Sequence, residues 1–138
     1  MEDYEPIDTQ NIKQSKIKSE KELEKDVNEI AIILKDTQTS DWKDRIKAME
    51  SIQSIVLTER CTSMANFPKL MEKLVKPLIN QLMDLRSRIT KEASTSVRII
   101  VQVLENEFNY LSHKFIDSNG LFKLLSSATK ITADHGHL

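Results

Sequence analysis

An all-α solenoid of antiparallel helix pairs is the fold class this sequence predicts, on three observations. Gly (2) and Pro (3) are scarce across 138 residues, too few for the many tight turns of a β-rich fold. Apolar residues recur at helical spacing in one long run after another. A corner sequence also repeats: DWKDRI at Asp41–Ile46 and DLRSRI at Asp84–Ile89 lie 43 residues apart. Asp41 matches Asp84, Lys43 resembles Arg86, Arg45 matches Arg88 and Ile46 matches Ile89. A fainter third copy, Lys130-Ile131, begins 42 residues after Arg88. A helix pair repeating at such an interval belongs to the HEAT class, whose period is about 40–47 residues.

Residues 1–19, polar and interrupted by Pro6, are expected to form a disordered or loosely docked tail. A repeat domain is expected over 20–138, with repeats at 20–58, 67–106 and 108–138. The first helix runs from Ser19 or Glu20 to Lys35, with Leu23, Val27, Ile30, Ile33 and Leu34 on one face. Ser19 is its N-cap, with Glu22 three residues on in capping-box spacing. The polar stretch Asp36–Ser40 is a corner, and Ser40 or Asp41 caps the next helix, Asp41 to Thr58, with its stripe of Trp42, Ile46, Met49, Ile52, Ile55 and Val56. Glu59–Asn66 lacks periodicity and reads as a linker.

The second repeat opens with a helix over Phe67–Met83, striped by Leu70, Leu74, Leu78 and Leu82. Pro68 suits its first turn, where the missing N–H is unneeded. Pro77 lies inside the pattern, removes one backbone hydrogen bond and predicts a kink. The partner helix runs from Ser87 or Arg88 to Asn106, with Ile89, Ala93, Val97 and Ile100 inward. A fifth helix is expected over Phe108–Ser127, a third corner at Ala128–Lys130, and about two turns of a sixth helix after it.

Composition narrows the function. The 20 basic and 21 acidic residues leave a net charge of −1, which gives no global reason to expect nucleic acid. The single cysteine, Cys61, excludes an intrachain disulfide and reads as a small buried residue in a reducing, intracellular setting. No apolar run approaches a membrane span and the acidic start is not a secretory signal. His135 and His137 lack a third ligand nearby, and no nucleotide-binding or zinc-protease motif occurs. Neither an enzyme, nor a metal, nor a cofactor is expected.

The corners carry the sharper signal. In a helix-pair solenoid, equivalent corners stack along one edge. Trp42, Lys43 and Arg45 come from the first, Arg86, Ser87 and Arg88 from the second, and Thr129 and Lys130 from the third. Such an edge suits a folded acidic protein surface, because Arg pairs with carboxylates and Trp can be buried as an anchor. Asp41, Arg45, Asp84 and Arg88 read first as a ladder tying neighbouring repeats together. Trp42, in the first turn of its helix, fits either the core or the exposed edge. Lys43, Arg86 and Lys130 serve no apolar pattern.

DWKDRIKAMESIQSIV followed by LVKPLINQLMDLRSRITKEASTSVRIIVQVLENEF resembles a TOG domain of the CLASP type, the cytoplasmic-linker-associated proteins, truncated to about three HEAT repeats. The hallmarks are Asp41-Trp42 opening a helix and D-L-R-S-x-(I/V)-x-(K/R)-E-A, here Asp84 to Ala93. Ala128-Thr129-Lys130-Ile131 resembles the family's third tubulin-facing loop, and the likeness spans about residues 20–134. It implies a flat paddle whose corner loops bind tubulin or microtubules. Trp42 would anchor the first loop, Arg86, Ser87 and Arg88 would act from the second, and Lys130 from the third. It further implies non-catalytic regulation of microtubule growth in the cytoplasm and cytoskeleton, with other cytoskeletal or ciliary proteins as further partners and the axoneme as one setting. A generic HEAT scaffold, binding another protein through its helical faces, is the alternative.

Overall fold

The computed structural model describes residues 9–36, 41–106 and 127–132. Within these residues the chain is helical and contains no strand. The elements are α1 (Glu20–Lys35), α2 (Trp42–Val56), the single-turn α3 (Glu59–Thr62), α4 (Phe67–Leu82) and α5 (Ser87–Asn106), with a further helical segment at 127–132. Helix α1 packs on α4 and α2 on α5, while α1/α2 and α4/α5 each form a pair. Two helix pairs thus stack side by side in two layers, as expected of an all-α helical repeat.

Local chemistry starts each helix where the sequence places it. Ser19, in extended conformation, accepts the Glu22 N–H at 3.2 Å, and the Glu22 carboxylate reaches back to the Lys18 N–H at 3.4 Å. Glu20 and Glu22 sit in the first turn and Lys35 in the last, each sign suited to the helix dipole. Asp41 caps α2 by accepting the Lys43 N–H at 3.0 Å. Pro68 occupies the first turn of α4, and α4 continues through Pro77 to Leu82.

The core runs between the two layers. Leu23, Val27 and Leu34 of α1, Met49 and Ile52 of α2, Met71, Leu74 and Leu78 of α4, and Ile89 and Ala93 of α5 are all fully buried. Burying each larger side chain of this kind contributes about 1.5–3 kcal/mol, so this interior holds the pairs together.

Two expectations change, and a third, the disordered or loosely docked tail, takes its docked alternative in the described part of the tail. The segment before α1 is docked: Ile17 is 5% exposed and belongs to the core, the Ser15 N–H donates to Thr58 Oγ1 at 2.8 Å, and Arg60 Nη1 donates to the Ile17 carbonyl at 3.2 Å. Ile17 fills a site between elements that no local pattern reveals. Glu59–Asn66, expected as a linker, contains α3, whose one turn is shorter than any period could register. The expected third corner at Ala128–Lys130 is helical: Ala128 is fully buried, and Ala128 and Thr132 lie inward one turn apart. The expected fifth helix, and His113, His135 and His137, fall outside the described residues.

Candidate functional site

The two corners between paired helices meet through one buried arginine. Arg45 projects from α2 one turn after Trp42 and is 1% exposed. Its Nη1 donates to Asp84 Oδ2 at 2.8 Å and to Gln81 Oε1 at 2.8 Å. Gln81 in turn donates Nε2 to the Leu34 carbonyl at 2.7 Å, near the C-terminal end of α1 where carbonyls lack intrahelical partners. A polar chain therefore runs from the end of α1 through α4 and α2 to the second corner. A further rung lies deeper, where Gln53 Nε2 donates to Glu92 Oε2 at 2.7 Å and Ser96 Oγ at 2.9 Å.

Asp84 is bound on several sides. Its Oδ1 accepts the Arg86 N–H at 2.8 Å, and its carbonyl accepts Thr90 Oγ1 at 3.0 Å. Burial pushes the Asp84 carboxyl upward, but the Arg45 hydrogen bond, the Arg86 N–H and the two guanidinium charges outweigh it. The group consequently lies below the usual carboxylate range and stays ionised at neutral pH.

Around this clamp the corner side chains face solvent. Trp42 is 38% exposed, so the exposed alternative holds, and Lys43 Nζ lies 5.8 Å from its ring centroid in a cation–π contact. Arg86 and Ser87 are exposed at the second corner. Arg88, expected in the ladder, instead points outward, with a side chain 62% exposed that reaches Glu92 on its own helix at 3.7 Å. The reason is positional. Asp84 follows Arg45 by 39 residues, and the residue at the same interval after Arg88 is the uncharged Ser127. Asp41 likewise serves as a helix cap. Only Arg45 and Asp84 of the four ladder candidates join two repeats among the described residues. Lys130 is exposed but sits inside the helical segment, between Ala128 and Thr132.

Sequence reasoning missed two apolar members of the edge. Met83 is 65% exposed and Leu85 103% exposed, and both line an open groove of about 530 Å³ with Lys35, Asn80, Asp84 and Arg86. Leu85 follows Leu82 at helical spacing and so passes as a core position. Its one visible signal is its place between Asp84 and Arg86 in a corner. Gln53 and Gln81 were missed for a different reason: buried amides that bridge helices leave no periodic trace.

The described residues form no metal-binding cluster. No three His, Cys, Asp or Glu side chains converge among them. Cys61 is fully buried and burial pushes its thiol up, which suppresses the reactive thiolate. No helix in the described residues is long and apolar enough to cross a membrane.

Several known proteins similar to this chain are CLIP-associated or CLIP-associating proteins. No family model matches it. The chain is 34% identical over 119 residues to the CLIP-associated protein of Arabidopsis thaliana, covering 86% of this chain and 8% of that protein. It is 31% identical over 120 residues to CLIP-associating protein 1-B of Xenopus laevis and 31% identical over 121 residues to CLIP-associating protein 1 of Xenopus tropicalis, covering 87% of this chain and 8% of the relative in each case. The chain thus spans about 8% of the length of these curated relatives.

Proposed function

We propose that this chain, similar over most of its length to CLIP-associating proteins, is a TOG-like, non-catalytic module that binds tubulin or microtubules through its corner edge and regulates or stabilises microtubules. The observation that carries this reading is the exposed Trp42, one turn before Arg45, whose buried pair with Asp84 ties the first corner to the second. A half-exposed tryptophan on a rigid first turn can be buried on a partner at little entropic cost. Lys43 beside its ring, and Arg86 and Arg88 at the second corner, offer cations for carboxylates, and Ser87 adds a hydrogen-bonding hydroxyl. Lys130, exposed on the helical segment at 127–132, is proposed as a further cation of the binding surface. The proposed setting is the cytoplasm and its cytoskeleton.

The test is co-migration with soluble tubulin. Trp42→Ala and Arg86→Glu should each abolish it while far-ultraviolet circular dichroism stays unchanged, because both side chains are exposed. Retained binding in both variants overturns the reading.

A further inference from the structure

We infer that Leu85, with Met83 beside it, is a second apolar anchor of the corner edge, one that enters an apolar recess bordered by carboxylates on the partner's surface. The inference rests on the tubulin-binding reading above and adds the apolar contact to it.

The large apolar side chains left exposed among the described residues are Ile32, Trp42, Met83 and Leu85. Three of the four belong to the two corners joined by Arg45 and Asp84. Single exposed apolar residues need no explanation, but Met83 and Leu85 line one groove together.

Leu85 is fixed where it is. The Asp84 side chain accepts the Arg86 N–H across it, the same carboxylate is held by Arg45, and the Asp84 carbonyl takes the Thr90 hydroxyl. Turning Leu85 toward the core would break these bonds. The turn itself does not demand leucine, since no residue there has positive φ and the side chain makes no use of the fold's interior. A polar residue would fit equally well, so the apolar choice suits a surface that becomes buried on binding. Because the segment is already ordered, that burial costs little conformational entropy.

Charge selects the partner's chemistry. Lys35 and Arg86 flank the groove, while the Asp84 carboxylate is engaged by Arg45. A carboxylate-edged recess on a folded protein matches this arrangement. A nucleic-acid backbone does not, because the exposed Asp41 and Asp44 at the first corner would repel phosphates and a leucine offers phosphate nothing.

The test measures tubulin affinity across a salt series for wild type, Leu85→Ser, Leu85→Met, Arg86→Ser and Trp42→Ala. Loss of a buried leucine predicts about 10- to 100-fold weaker binding for Leu85→Ser, with an unchanged salt slope. Leu85→Met should stay within a few-fold of wild type, whereas Arg86→Ser should weaken binding and flatten the salt dependence. Thermal melting of Leu85→Ser should match wild type. Full affinity in Leu85→Ser, alongside loss in Trp42→Ala, overturns this inference alone, as does a lowered melting temperature, which would assign Leu85 to the fold. Absence of wild-type binding overturns the tubulin reading and this inference together.

Discussion

Arg45 on α2 and Asp84 at the α4–α5 corner meet at 2.8 Å, and the arginine side chain is 1% exposed. This pair joins one helical repeat to the next at the edge where Trp42 and Arg86 emerge. Arg45 Nη1 carries the bonds to both Asp84 and Gln81, and Arg45 Nε has no partner among the described residues. The guanidinium therefore depends heavily on Asp84 for compensation of its charge.

Removing one partner should cost more than removing both. Asp84→Ala leaves Arg45 buried and unpaired, a loss of about 3–5 kcal/mol in urea unfolding. Adding Arg45→Met to it should recover a large part of that loss, because an apolar side chain of similar length needs no counter-charge. Equal destabilisation in the single and double variants would contradict the pair's proposed role.

The same pair sets an acid limb. Asp84 titrates below the ordinary carboxylate range in the folded chain. Its contribution is therefore fully present above the unfolded value of about 3.9 and is lost as pH falls through the lower folded value. Urea midpoints should drop as pH descends below about 4, and the drop should be shallower in Asp84→Asn, which has no proton to take up there. An identical acid limb in the two proteins would assign it to other carboxylates.

Gln53 gives a second, independent test of how the repeats are joined. It is 5% exposed and donates to both Glu92 and Ser96 across the α2–α5 contact. Gln53→Leu should destabilise by about 1–3 kcal/mol through the polar groups it strands. Amide hydrogen exchange should quicken along α5. Unchanged exchange would mean that water replaces the amide at no cost.

The segment before α1 should count toward stability. Ile17→Ala should lower the unfolding free energy by about 2 kcal/mol, the low end for a buried isoleucine at the margin of a core. A change within a few tenths of a kcal/mol would be that of a surface residue.

Much of this fold was legible because it is local. The bounds of α1, α2, α4 and α5 follow from the capping residues Ser19 and Asp41, from Pro68 and from the 3.6-residue spacing of apolar side chains. What stayed hidden depends on tertiary placement. Ile17 lies in a run with no period, α3 is a single turn, and Gln81 reads as a surface residue although it is fully buried against the α1 carbonyl of Leu34. The site was legible in part. The repeated Asp and Arg marked the corners, but equivalence in sequence did not give equivalence in role: Arg45 crosses to the next repeat and Arg88 bonds to its own helix. Leu85 was missed because helical spacing from Leu82 disguises a side chain that the corner turns outward.

Sedimentation velocity of the chain mixed with soluble tubulin, in wild type and in Trp42→Ala, decides whether the exposed tryptophan anchors tubulin. Wild type should shift into a faster-sedimenting complex, and Trp42→Ala should remain free with unchanged helicity. Co-sedimentation of Trp42→Ala at wild-type affinity, with loss instead on charge reversal of the exposed helix positions Glu50 and Lys91, would contradict it and assign binding to the helical faces.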